Sequence, residues 1–127
     1  MPAIEELQTR IAVLERLIQA MEVYSQYWHD PLRIDTDRRT LMRSARIFLA
    51  NHAPATETEL YSRLEETYIE LLLHGYRLAQ TSIYGSLYFE RYTGRVVRVS
   101  DHRSKQYKDR TVRIDQEDWF EQVDRVM

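Results

Sequence analysis

The sequence predicts an α+β fold: a long N-terminal coiled-coil-like helix and two further helices, then a small antiparallel β-meander of about three strands closed by a C-terminal helix. Three observations predict it. Apolar residues recur at helical spacing across the first 75 positions, the period drops to two after position 82, and helical spacing returns after Asp115. A chain of 127 residues fits a single domain, with a heptad helix over 1–30, two helices over 36–75, and meander plus closing helix over 76–127.

The first helix is the clearest. Ile4, Leu7, Ile11, Leu14, Ile18 and Met21 alternate at spacings of three and four, with Ile at the a positions and Leu or Met at d. Polar Gln8, Glu15 and Glu22 flank the seam, and Asp30-Pro31 ends the run. Val13, Leu17, Ala20, Val23, Tyr24 and Tyr27 widen the apolar surface. Two arrangements follow: packing along helices of the same chain, or pairing with a second copy. A helix of about 25 residues is about 37 Å long, more than one small domain readily covers, so a homodimer through the six seam residues is expected.

The second helix opens at Thr36 or Asp37, with Leu41, Ala45, Phe48, Leu49 and His52 on its apolar stripe and Arg38, Arg39, Arg43 and Arg46 off it. The third opens with Thr56-Glu57-Thr58-Glu59, which has capping-box spacing. Its buried stripe is Leu60, Leu64, Tyr68, Leu71 and Leu72; Glu57, Glu65, Glu66 and Glu70 are expected to face outward, and Gly75 suits a left-handed C-cap. Strands are expected over 83–92 and 95–100 around a Thr93-Gly94 turn, with a third over 110–114. Asp115 then caps a helix whose apolar face is Trp119, Phe120, Val123 and Val126.

Charge is arranged in blocks that a net charge of −2 conceals: −3 over 1–30, +3 over 31–55, −4 over 56–76, +6 over 77–113 and −4 over 114–127. Such blocks either compensate inside the fold or form patches on its surface. Cysteine is absent, which excludes disulfides, thiolate metal sites and a thiol nucleophile. There is no phosphate-binding glycine loop, no His-Glu-x-x-His, and no pair of His one turn apart. Ser100-Asp101-His102 are adjacent, whereas a triad needs groups converging from separate segments. Neither catalysis nor a cofactor or metal is therefore expected. No apolar run spans a membrane and no secretion signal is read at the N-terminus, so the expected location is the cytoplasm of a bacterial host.

Binding chemistry remains. In the strand region Arg91, Arg95, Arg98, Arg103, Lys105, Lys108, Arg110 and Arg113 alternate with Tyr84, Tyr88, Tyr92 and Tyr107. Arg and Tyr dominate protein interfaces, and the same types neutralise phosphate and stack on bases. Outward carboxylates on the third helix offer a second surface, able to enter a basic groove. The candidate partner-binding residues are Tyr88, Tyr92, Arg95, Arg98 and Arg103, with Glu65, Glu66 and Glu70.

Ser82-Ile83-Tyr84-Gly85-Ser86-Leu87-Tyr88-Phe89, followed by Val97-Arg98-Val99-Ser100-Asp101-His102, resembles a hairpin module of small accessory proteins from bacteriophages and other mobile elements. The likeness covers about 30 residues and carries no active-site residues with it. It implies a setting: a compact protein, similar to anti-CRISPR proteins, that inhibits a host protein or nucleoprotein effector by binding it. Two other readings stay open: a nucleic-acid-binding regulator using the Arg/Tyr hairpin and the second helix's arginines, and a coiled-coil adaptor dimer.

Overall fold

A computed structural model of the chain describes residues 3–50, 56–100, 112–113 and 122–123, the last two pairs by backbone alone. Three helices, α1 (Ile4–Tyr27), α2 (Ile34–Leu49) and α3 (Glu57–Leu73), precede an antiparallel sheet of β1 (Tyr76–Thr81), β2 (Leu87–Arg91) and β3 (Val96–Ser100). The fold is α+β. Two further two-residue strands pair with β3: β4 (Val112–Arg113) runs parallel to it, and β5 (Gln122–Val123) antiparallel.

Helix α3 is central because it is apolar on more than one side. Leu60, Leu64, Tyr68, Leu71 and Leu72 are buried as the periodicity predicts, and Ile69 joins them. Helices α1 and α2 pack on α3, and β1 follows it through a single tight corner. The Thr56 side chain accepts a hydrogen bond from the Glu59 backbone N–H at 3.1 Å, as capping-box spacing requires. Gly75 has φ +85°, so the helix ends in the left-handed turn expected of it.

The sheet presents Tyr76, Leu78, Leu87, Phe89, Val97 and Val99 to the helices, all buried. Register enforces this, with Leu87 opposite Val99 and Phe89 opposite Val97. Phe89 meets Tyr68 of α3 with ring centroids 6.4 Å apart. Burying side chains of this size contributes about 1.5–3 kcal/mol each, so the α3–sheet layer supplies much of the stability.

Five expectations are corrected. Strand β1 lies where no strand was predicted. Residues 83–86 form the β1–β2 turn, and β2 begins only at Leu87. Thr93-Gly94 is part of a four-residue connection, Tyr92 to Arg95: the Gly94 N–H donates to the Arg91 carbonyl at 2.8 Å, and Gly94 has φ +93°. Strand β4 pairs parallel to β3, which a meander would not do. Most of the predicted closing helix lies outside the described residues, as do Trp119, Phe120, Val126, His52 and residues 101–111. The two described residues of that predicted helix, Gln122 and Val123, are extended and paired with Val97 and Val96.

The charge blocks compensate in part. Glu65 on α3 was expected outward, yet it is 6% exposed. It accepts from Arg10 of α1 at 2.8 Å and from Arg38 of α2 at 2.7 Å, so one carboxylate ties all three helices together. Burial alone would raise its pKa, but the two guanidinium hydrogen bonds hold it below the usual carboxylate range. Glu70 pairs with Arg16, and Glu57 with Arg46. The acidic block of α3 is largely consumed by the basic residues of its neighbours.

Candidate interaction site at the hairpin end

Three chain segments meet at one end of the sheet: the C-terminus of α1, the α3–β1 corner and the β2–β3 turn. Gly75 is the pivot. Its carbonyl accepts from the Trp28 indole N–H at 3.2 Å and from the Tyr92 backbone N–H at 3.3 Å. A Cβ at this position would come within 2.8 Å of two Tyr92 ring carbons. Glycine therefore permits both the positive φ and the approach of the tyrosine.

With Tyr92 seated there, its ring stacks on Tyr27 of α1, centroids 4.1 Å apart and planes within 4°. Both rings remain substantially open, 40% for Tyr27 and 44% for Tyr92. Arg91 completes the group. Its Nε donates to the His74 carbonyl at 2.9 Å, and its guanidinium carbon lies 5.0 Å from the Tyr92 ring centroid. Arg95, on the far side of the turn, is exposed. Next to this platform Arg77 lies over the Trp28 ring at 3.9 Å and donates to Asp30 at 2.8 Å. Asp30 also accepts from the Tyr24 hydroxyl at 2.9 Å. The Tyr24 hydrogen bond, foremost, and the charge of Arg77 hold the Asp30 carboxyl below its ordinary range.

The structure brings together only part of the predicted set. Tyr92 and Arg95 are in this patch. Tyr88 and Arg98 are directly opposed on the outer face of β2 and β3, both half-buried, away from the turn. Arg103 lies outside the described residues. Of the three carboxylates, Glu65 is internal, Glu70 is half-buried on Arg16, and Glu66 alone is exposed. Glu66 edges an open cleft of about 380 Å³ between α1 and α3, lined also by Glu5, Glu6, Thr9 and Arg10.

Sequence reasoning missed Tyr27, Trp28, Gly75 and Arg77 as members of this site. The available signal is the Tyr27-Trp28 pair at a helix end, of which the sequence reading uses Tyr27 alone, as extra apolar surface. The six dimerisation candidates on α1 are all exposed: Ile4, Leu7, Ile11, Leu14, Ile18 and Met21. Helix α1 instead meets α3 through Leu17, Ala20 and Tyr24, with Val13 partly covered.

Among the described residues no three His, Asp or Glu side chains are placed to hold a metal ion, and no helix is long and apolar enough to cross a membrane. Comparison with known protein families, characterised proteins and solved structures gives no match. The site is therefore read from its own geometry.

Proposed function

We propose that the protein is a non-enzymatic binding protein that docks on a host nucleoprotein complex and inhibits it, in the manner the phage-like hairpin resemblance implies. The observation that carries the reading is the Tyr27–Tyr92 stack, parallel, open to solvent and edged by Arg91, with exposed Arg95 across the turn. Rigid aromatic side chains beside arginine are the residues that dominate binding energy at protein interfaces. Here they are already ordered by Gly75, so little conformational entropy remains to be lost on association. Arginine adds bidentate recognition of carboxylate or phosphate.

The test is co-elution with a panel of purified CRISPR effector complexes loaded with guide RNA. The expected result is a stable complex with at least one of them, lost on Tyr92→Ala combined with Arg95→Glu. Co-elution that survives the double variant rejects this patch as the docking site, and no complex with any effector rejects the inhibitor reading. A second reading, direct nucleic-acid binding, is favoured by the same arginine edge. It predicts affinity for a single-stranded oligonucleotide alone that falls steeply with salt.

A further inference from the structure

Helix α1 is apolar on two sides, and among the described residues only one of them is packed. Leu17, Ala20 and Tyr24 are buried, and Arg10 and Arg16 reach from the same side to Glu65 and Glu70 of α3. These contacts fix the rotation of the helix. The seam of Ile4, Leu7, Ile11, Leu14, Ile18 and Met21 is thereby held outward, at 37–72% exposure, and no described residue covers it. Six large apolar side chains in one line form a contiguous patch of the kind that marks an interaction surface.

We propose that this seam is the interface of a parallel, in-register, two-stranded coiled coil with a second copy of the chain. Three features of the helix select that occupant. The residue types are the first: Ile at positions 4, 11 and 18, and Leu or Met at 7, 14 and 21, is the a/d combination that favours two strands over three or four in a parallel coiled coil.

Charge is the second. Gln8, Glu15 and Glu22 line the flank of the seam away from α3, and Arg10 lies on the other flank. A parallel register sets Arg10 of one copy opposite Glu15 of the other. Arg10 keeps 47% of its side chain exposed while bonded to Glu65, so it remains accessible to a second carboxylate. An antiparallel pair would instead set the two Gln8, Glu15 and Glu22 flanks against each other, with no cation between them. Area is the third feature. The exposed fractions correspond to on the order of 500 Å² per copy, or about 1,000 Å² in the pair, the lower limit for a specific interface.

The consequence deepens the proposed function without depending on it. Tyr27 sits at the C-terminal end of α1 on the side away from the seam, so a parallel pair places two Tyr27–Tyr92 platforms at the same end, on opposite flanks of the coil. The dimer would be a bivalent reader of a partner with two neighbouring sites.

Because the chain has no cysteine, Leu14→Cys introduces a unique thiol. In the parallel register the two thiols face each other, and mild oxidation gives a covalent dimer in high yield. In an antiparallel pair Leu14 faces Ile11, so cross-linking would need a mixture of Leu14→Cys and Ile11→Cys chains. Light scattering on the unmodified protein at micromolar concentration is expected to give twice the chain mass. Ile11→Asp with Ile18→Asp is expected to give one chain mass with helix content retained. A one-chain mass for the unmodified protein, or cross-linking only in the mixed sample, overturns the proposal. If the Asp variant unfolds, the thiol cross-link still decides. A monomer that binds an effector complex would sink the dimer and leave the docking patch standing.

Discussion

Arg10 and Arg38, from two different helices, bind the two oxygens of the single carboxylate of Glu65 at 2.8 and 2.7 Å. Removing the carboxylate leaves both guanidinium groups without this partner, though each has some access to water. Glu65→Ala should cost about 1–2 kcal/mol, below the figure for a fully buried pair. The acid side carries a sign. The folded-state pKa of Glu65 is lowered. Its contribution is therefore complete above the ordinary carboxylate range and is lost as pH falls through the lowered value. Thermal unfolding measured from neutral to acid pH should show a shallower acid loss for Glu65→Gln than for the parent.

Tyr68 and Asp37 form the opposite case. The Tyr68 hydroxyl donates to Asp37 at 2.9 Å in a buried setting. Burial pushes the Asp37 carboxyl up, against the Tyr68 hydrogen bond and the charge of Arg33. A raised carboxyl favours the fold below the ordinary range, and that contribution is lost as pH rises through the folded value. Tyr68→Phe removes the donor that eases the ionised state. It should cost about 1–2 kcal/mol at neutral pH and less in acid, read by urea unfolding at both.

Gly75→Ala tests the pivot of the candidate site. The new methyl must adopt a positive φ and displace the Tyr92 ring. The expected loss is about 1–3 kcal/mol. A second readout is local: unstacking of Tyr27 and Tyr92 should appear in the near-ultraviolet circular dichroism before the fold is lost.

Alkaline pH should unfold the chain by a distinct route. Burial, then the hydrogen bond to and the charge of Asp30, raise the Tyr24 phenol to about 12, with Arg77 opposing. Stability from this group is complete below the ordinary value of 10.0 and is lost as pH rises through about 12. Phenolate absorbance should show one late-titrating tyrosine fewer in Tyr24→Phe than in the parent, with Tyr68 still late in both. That variant should lose about 1 kcal/mol at neutral pH but unfold at a higher alkaline midpoint.

The helices were legible because their determinants are local. Leu60, Leu64, Tyr68 and Leu71 repeat at helical spacing, and Thr56 and Gly75 mark the two ends with residues chosen for backbone chemistry. Strand β1 was not legible. Only Tyr76 and Leu78 alternate before the register shifts between Leu78 and Gln80, which destroys the period-two signal. Glu65 looks like the other glutamates of α3 until Arg10 and Arg38 are brought to it from 55 and 27 residues away. The aromatic stack was hidden for the same reason, since Tyr27 and Tyr92 meet only through the tertiary corner at Gly75.

Asp30 accepts from Tyr24 inside α1 and from Arg77 on β1, so the first residues after the helix are bracketed to both. A surface linker held in this way should behave as part of the framework. Proteases should cut it slowly, and the amide of Trp28, bonded to the Tyr24 carbonyl at 2.9 Å, should exchange its hydrogen as slowly as those of the sheet.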